Sequence, residues 1–138
     1  MNTYHGDTEA RRGTGLRSEA LTEAVIGAAI EVHRQLGPGL LESVYEDCMC
    51  TELRLRDIPF KAQVELPIVY KGHSTGGIYR IDRIVADEIL VELKAVERLL
   101  SVHEAQLLTY LKLTGKHVGL IINFNVSILH RGIMRRVL

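Results

Sequence analysis

Asp82, Glu92 and Lys94 lie in the stretch YRIDRIVADEILVELK, residues 79–94, and place two acids and an amine inside apolar runs. Residues 77–85 and 89–95 each alternate, and the polar break Ala86-Asp87-Glu88 between them predicts an antiparallel hairpin. With a three-residue loop at 86–88, Asp82 faces Glu92, Arg80 faces Lys94 and Ile81 faces Leu93, so Asp82, Glu92 and Lys94 share one face. A two-residue loop would pair Asp82 with Leu93 instead and send the acids to opposite faces. Carboxylates directly opposite each other, ~5 Å apart at Cβ, repel unless a proton or a cation lies between them. A hard divalent ion such as Mg²⁺ suits two carboxylates plus phosphate oxygens. Lys94, one step along, could orient or deprotonate an attacking water and neutralise a phosphorane-like transition state. The plainer reading is a salt-bridged patch on a solvated face. The apolar neighbours weigh against an exposed ribbon.

Asp82 followed by Glu92-Leu93-Lys94 resembles the D…ExK signature of the PD-(D/E)XK nuclease superfamily. Gly39-Leu40-Leu41-Glu42-Ser43-Val44-Tyr45 is similar to the motif that names the GxxExxY proteins, a bacterial family within it. The stretches VELKAVERLLSVHEAQLLTYLKLTG and VGLIINF are also similar to that family's pattern, so the resemblance covers residues 21–137. Gln106-x-x-x-Tyr110 resembles the extra motif of the RecB-like QxxxY branch. The resemblance implies an α/β fold with a restriction-endonuclease-like core, a mixed central sheet flanked by helices. It implies a nuclease using Mg²⁺ or Mn²⁺ on nucleic acid, DNA ahead of RNA. Asp82, Glu92 and the Leu93 carbonyl would hold the metal. Lys94, Glu42, Gln106 and Tyr110 would serve catalysis, and Arg80, His103 and Arg131 would touch substrate. The rival is a catalytically inactive module of the same fold that binds a protein partner or nucleic-acid ends.

The chain has 138 residues, 46% of them apolar and 25% charged, which suits one soluble domain with a single core. Its 17 basic and 17 acidic residues cancel, so no global charge marks it as a nonspecific nucleic-acid binder. Cys48 and Cys50 are too few for a zinc or iron–sulfur site and read as small semi-buried residues of a reducing compartment. No signal peptide or membrane-length apolar run is visible, which points to the cytoplasm. A homodimer through the hairpin or through Arg83 is compatible with the pattern.

These side chains need elements to position them. Residues 1–17 lack periodicity and read as a disordered tail, leaving 18–138 as the domain. Apolar residues at helical spacing predict a helix over 18–36, with His33 on its last turns as a satisfied histidine, and Gly37-Pro38-Gly39 stops it. A second helix is expected over 40–56, with Glu42 in its first turn beside Tyr45; the resemblance has Gly39 permitting close approach of this helix start to the sheet. Residues 59–71 read as an edge strand bent near Pro67, and 71–77 as a turn. Arg83 falls with Ile81 and Val85 on the core face, where it either snorkels past the sheet edge or marks an open face. Ser101 and Glu104 form a capping box opening a helix that stops at Gly115. Residues 117–123 read as a buried strand parallel to the ExK strand, and 128–138 as a last strand carrying the basic Arg131, Arg135 and Arg136.

Overall fold

A computed structural model describes the backbone from Thr3 and the side chains of Ser18 to Leu138. The elements run α1 (Thr3–Leu36), α2 (Glu42–Leu55), β1 (Phe60–Tyr70), β2 (His73–Val85), β3 (Ile89–Lys94), α3 (Ser101–Thr114), β4 (Val118–Asn123), a 3₁₀ turn (Leu129–Gly132) and β5 (Ile133–Val137). Helix α1 therefore reaches further toward the N-terminus than the expected start at Ser18. The reading of 1–17 as a tail lies outside the fully described residues.

The sheet follows chain order, β1-β2-β3-β4-β5, antiparallel except for the β3–β4 pair, which is parallel. A parallel pair needs a crossover, and α3 provides it. Helices α1 and α2 cover one face through Val25, Ala28, Ala29, Val32, Met49 and Leu53, packed on Val91, Leu93, Leu120 and Ile122. Helix α3 covers the other through Leu107, Tyr110 and Leu111, packed on Leu90 and Ile121. It approaches so closely that a Cβ on Gly119 of β4 would meet Leu107 Cδ1 at 2.7 Å. The expected α/β architecture, a mixed sheet flanked by helices, is the one observed. Among the described residues, no helix is long and apolar enough to cross a membrane.

Several local expectations need correction. The turn after β1 is only Lys71-Gly72, both left-handed at φ 48° and 78°, so Tyr70 pairs with His73 and β2 begins there. Two consecutive left-handed residues make the primed turn whose twist matches a hairpin, which a seven-residue turn ignores. Gly39 has φ 96°, and a Cβ there would meet nothing within 4 Å. Its backbone angle, not close packing, is what glycine serves. The cap of α3 is Leu100 rather than Ser101: His103 Nδ1 accepts from the Leu100 N–H at 3.0 Å, the reciprocal bond expected from Glu104. Residues 128–138 do not form one strand, because the 3₁₀ turn precedes β5.

Arg83 is also displaced from its expected setting. It is 0% exposed, beneath α2, where Nη2 donates to the Glu46 carbonyl at 3.3 Å and to Cys50 Sγ at 3.6 Å. It neither snorkels nor opens a face, so no subunit contact can run through it. The sheet bends next to it. Gln63, the residue of β1 facing Asp82, has φ 53°, and the ladder skips that position. The kink turns Ile81 into the α3-side cluster while Val85 joins the α1/α2 side, so the two do not share the face that regular alternation assigns them.

Candidate active site

The β2–β3 ladder runs from Val85↔Ile89 to Arg83↔Val91, the register of a three-residue loop, and stops. One step further the strands part, and carboxylates replace the ladder. The Asp82 N–H donates to Glu92 Oε1 at 3.2 Å, and the Leu93 N–H donates to Asp82 Oδ2 at 2.8 Å. Asp82 thus lacks a ladder partner on both sides, Gln63 being left-handed and β3 having splayed away. Such a gap gives acids access that a continuous sheet denies.

Helix α2 closes the gap from one side. Glu42 is half-buried in its first turn, where burial raises its carboxyl above the ordinary range while Lys94 pulls it back. One turn on, Glu46 hydrogen-bonds Asp82, and burial followed by the Asp82 charge pushes it up to about 7. Glu92, 7% exposed, is pushed up to about 9, again by burial and then Asp82. Sequence reasoning missed Glu46. Its signal was the i,i+4 spacing from Glu42, which puts both acids on one stripe of α2. Tyr45, by contrast, is structural: its hydroxyl donates to the Gly37 carbonyl at 2.6 Å and accepts from the Leu40 N–H at 3.2 Å, and its ring stacks on Phe124 at 4.5 Å.

Lys94 stands half-buried at the end of β3 within the electrostatic reach of both Glu42 and Glu92. Its carbonyl accepts from the Phe124 N–H at 2.9 Å, and the chain beyond is clamped by Asn123, whose Nδ2 donates to the Val96 carbonyl at 2.9 Å while Oδ1 accepts from the Val96 N–H at 3.0 Å. The ExK strand end is therefore fixed to β4. Leu93 buries its side chain on the α1/α2 side.

From the opposite face α3 brings Tyr110, 5% exposed, whose hydroxyl is held above its ordinary value by burial, then by Glu92. Gln106 is half-buried and lines the same cleft as Tyr110. His103 faces Glu42 electrostatically, but its Nδ1 is committed to the helix cap. Arg80 is exposed on the ribbon, 3.9 Å from Glu65, and Arg131 is exposed on the 3₁₀ turn. Neither shares a contact with the acids, and Arg136 is engaged by Glu104 at 2.7 Å. The fold brings together Asp82, Glu92, Lys94, Glu42 and Tyr110 and leaves Arg80 and Arg131 at its margins.

The family model described as the PD-(D/E)XK nuclease superfamily matches residues 19–137. The chain belongs to the PD-(D/E)XK nuclease superfamily. No curated protein and no solved structure matches it.

Members of the PD-(D/E)XK superfamily typically use divalent metals, and this donor set can be tested against such an ion. Among the described residues, no three His, Cys, Asp or Glu side chains already converge on one point. Asp82 Oδ2 and Glu92 Oε1 are turned to backbone N–H groups instead. Glu46 and Glu92 nevertheless both crowd Asp82, and burial followed by the Asp82 charge raises the two carboxyls, Glu92 well above neutral pH and Glu46 to about 7. Hard oxygen donors that repel one another fit a divalent cation, which would take the place of the protons now shared among them.

Proposed function

We propose that this chain is a divalent-metal-dependent phosphodiesterase that cuts nucleic acid, DNA ahead of RNA. The observation that carries the reading is the acid cluster of Asp82, Glu92 and Glu46 at the splayed ends of β2 and β3, with Lys94 beside it. Asp82, Glu92 and the Leu93 carbonyl would hold Mg²⁺ or Mn²⁺, with Glu42 and Glu46 supporting from α2. When bound, such an ion supplies Lewis-acid polarisation of the phosphate and offsets charge developing on it.

The protein's own groups would do the rest. Lys94 orients the attacking water and stabilises negative charge in the transition state. Tyr110 and Gln106 would place a hydroxyl and an amide where a water can be held. Buried Arg83 adds a fixed positive charge behind Glu46. Placement in the GxxExxY branch rests on Gly39, Glu42 and Tyr45, and the action on DNA on that resemblance. A cytoplasmic setting belongs to the same reading, as does a homodimer formed through the exposed ribbon. The inactive-module alternative draws on the lack of a ready-converged metal group among the described residues.

The test is incubation of the protein with labelled duplex DNA, single-stranded DNA and RNA in Mg²⁺, Mn²⁺ or EDTA, beside Lys94→Ala. Cleavage that requires metal and falls at least ~100-fold in the variant supports the reading. Undiminished cleavage by Lys94→Ala would remove the mechanism. Absence of both cleavage and Mn²⁺ binding would favour the inactive module.

A further inference from the structure

A cleft of 290 Å³ opens between the β1–β2 ribbon and α3, lined by Ile68, Tyr79, Gln106, Thr109, Tyr110 and Leu113. Four of these are aromatic or aliphatic, Gln106 and Thr109 are neutral hydrogen-bonding groups, and none is charged. A phosphate would lose its hydration here with no cation in return, which is costly. A neutral planar heterocycle meets the opposite conditions: ring faces to stack on and a side-chain amide whose donor and acceptor match a base edge.

Tyr79 is 51% exposed. Its ring lies 6.0 Å from that of Tyr110 with the planes tilted by 54°, so the two rings are not stacked face to face. Tyr110 is the link to the acids, because the same side chain that walls the cleft packs in one buried cluster with Ile81, the residue before Asp82, and lies within the field of Glu92 and Asp82. A group seated in the cleft is therefore a neighbour of whatever those acids hold.

We propose that this cleft is a base slot, taking one unpaired nucleobase of the strand being cut and stacking it on Tyr79 beside the acid cluster. The inference rests on the nuclease reading and narrows it. A base within a duplex cannot enter such a slot without leaving its stack, so the substrate strand is single, frayed or flipped at the cleavage point.

The test uses the full chain, Ca²⁺ in place of Mn²⁺, and a single-stranded oligonucleotide carrying 2-aminopurine, with Tyr79→Ala, Tyr79→Phe and an abasic version of the strand. The slot predicts quenching of the probe by the wild type and a loss of affinity of about tenfold or more in Tyr79→Ala. Tyr79→Phe should bind like the wild type, and the abasic strand should bind the wild type as weakly as the intact strand binds Tyr79→Ala. Equal affinity of Tyr79→Ala and wild type, with Mn²⁺-dependent cleavage intact, would overturn the slot and leave the nuclease reading standing. Wild type that neither binds nor cuts any nucleic acid would overturn both. A free nucleoside binding as tightly as the strand, or a wild-type dimer that Tyr79→Ala dissolves, would also overturn it, the second by making the cleft a contact between copies.

Discussion

Asp82 and Glu92 exchange side-chain-to-backbone hydrogen bonds across the point where β2 and β3 separate, Glu92 Oε1 accepting from the Asp82 N–H at 3.2 Å and Asp82 Oδ2 from the Leu93 N–H at 2.8 Å. Each acid therefore stands in for a missing ladder partner and is held in place by the backbone of the other strand. The arrangement positions two carboxylates at once, and the cost is that Glu92, buried and then pushed further by the Asp82 charge, retains its proton well above the ordinary range.

That retained proton makes stability depend on pH. A carboxyl raised in the folded state binds a proton that the unfolded chain has already released, so its contribution is complete below the ordinary value of 4.5 and is lost as pH rises toward about 9 for Glu92. Glu46 adds to the loss as pH rises toward about 7. In EDTA the melting temperature is expected to fall between pH 5 and pH 9, by several degrees or more, and Mn²⁺ should flatten the decline by neutralising the acids. Melting curves across that range, with and without Mn²⁺, check it. A profile that is flat in EDTA would mean that neither carboxyl is raised by its burial beside Asp82.

Glu46→Gln separates structure from metal affinity. The amide retains a hydrogen bond to Asp82 but removes one like charge, so the metal-free protein should become more stable at pH 9. The Mn²⁺ concentration needed for half-maximal stabilisation should rise roughly 10- to 100-fold, the usual loss when a supporting group is removed. Titration of melting temperature against Mn²⁺ gives both numbers. An unchanged midpoint would place Glu46 outside the metal's reach.

Much of this was legible in the residues, and the failures are specific. The three-residue loop at 86–88 gave the β2–β3 register because a single-residue slip would have inverted a strand whose neighbours are uniformly apolar. The parallel pairing of β4 followed from its unbroken apolar run. Glu46 is harder to see, because a second acid one turn after Glu42 on a polar helix face looks like solvated surface until its partner Asp82 in the sheet is known. Arg83 was assigned to a shared face with Ile81 on the assumption of regular alternation, and the left-handed Gln63 that breaks it has no sequence signature, since glutamine seldom adopts that conformation. The shifted cap at Leu100 arose because His103 Nδ1 can do what the Glu104 side chain was expected to do.

Close contact between α3 and β4 gives a prediction about packing. A methyl group at Gly119 would meet Leu107 Cδ1 at 2.7 Å, and Leu107 itself is 1% exposed, with little room to retreat. Gly119→Ala should cost about 1–3 kcal/mol, and Gly119→Ala with Leu107→Ala should recover part of the loss expected from the two changes added together. Urea unfolding of the three variants checks the coupling. Strict additivity would show that the contact relaxes without strain.

Arg83 carries the last prediction. Its guanidinium is fully buried, its two hydrogen bonds are long at 3.3 and 3.6 Å, and Nε and Nη1 have no partner among the described residues. A buried charge so poorly paired normally lowers stability, and an unbranched apolar side chain of similar length fills the same space without the desolvation cost. Arg83→Met is therefore expected to stabilise the chain by about 1–4 kcal/mol at pH 6, where Glu46 is protonated and gains little from a nearby cation. At pH 9 Glu46 is ionised and Arg83 is the positive charge that favours it, so the gain should shrink or reverse. Urea unfolding at the two pH values measures both. A loss of stability at pH 6 would show that Arg83 is well paired in the folded chain and that its burial serves the fold itself and not the acid site above it.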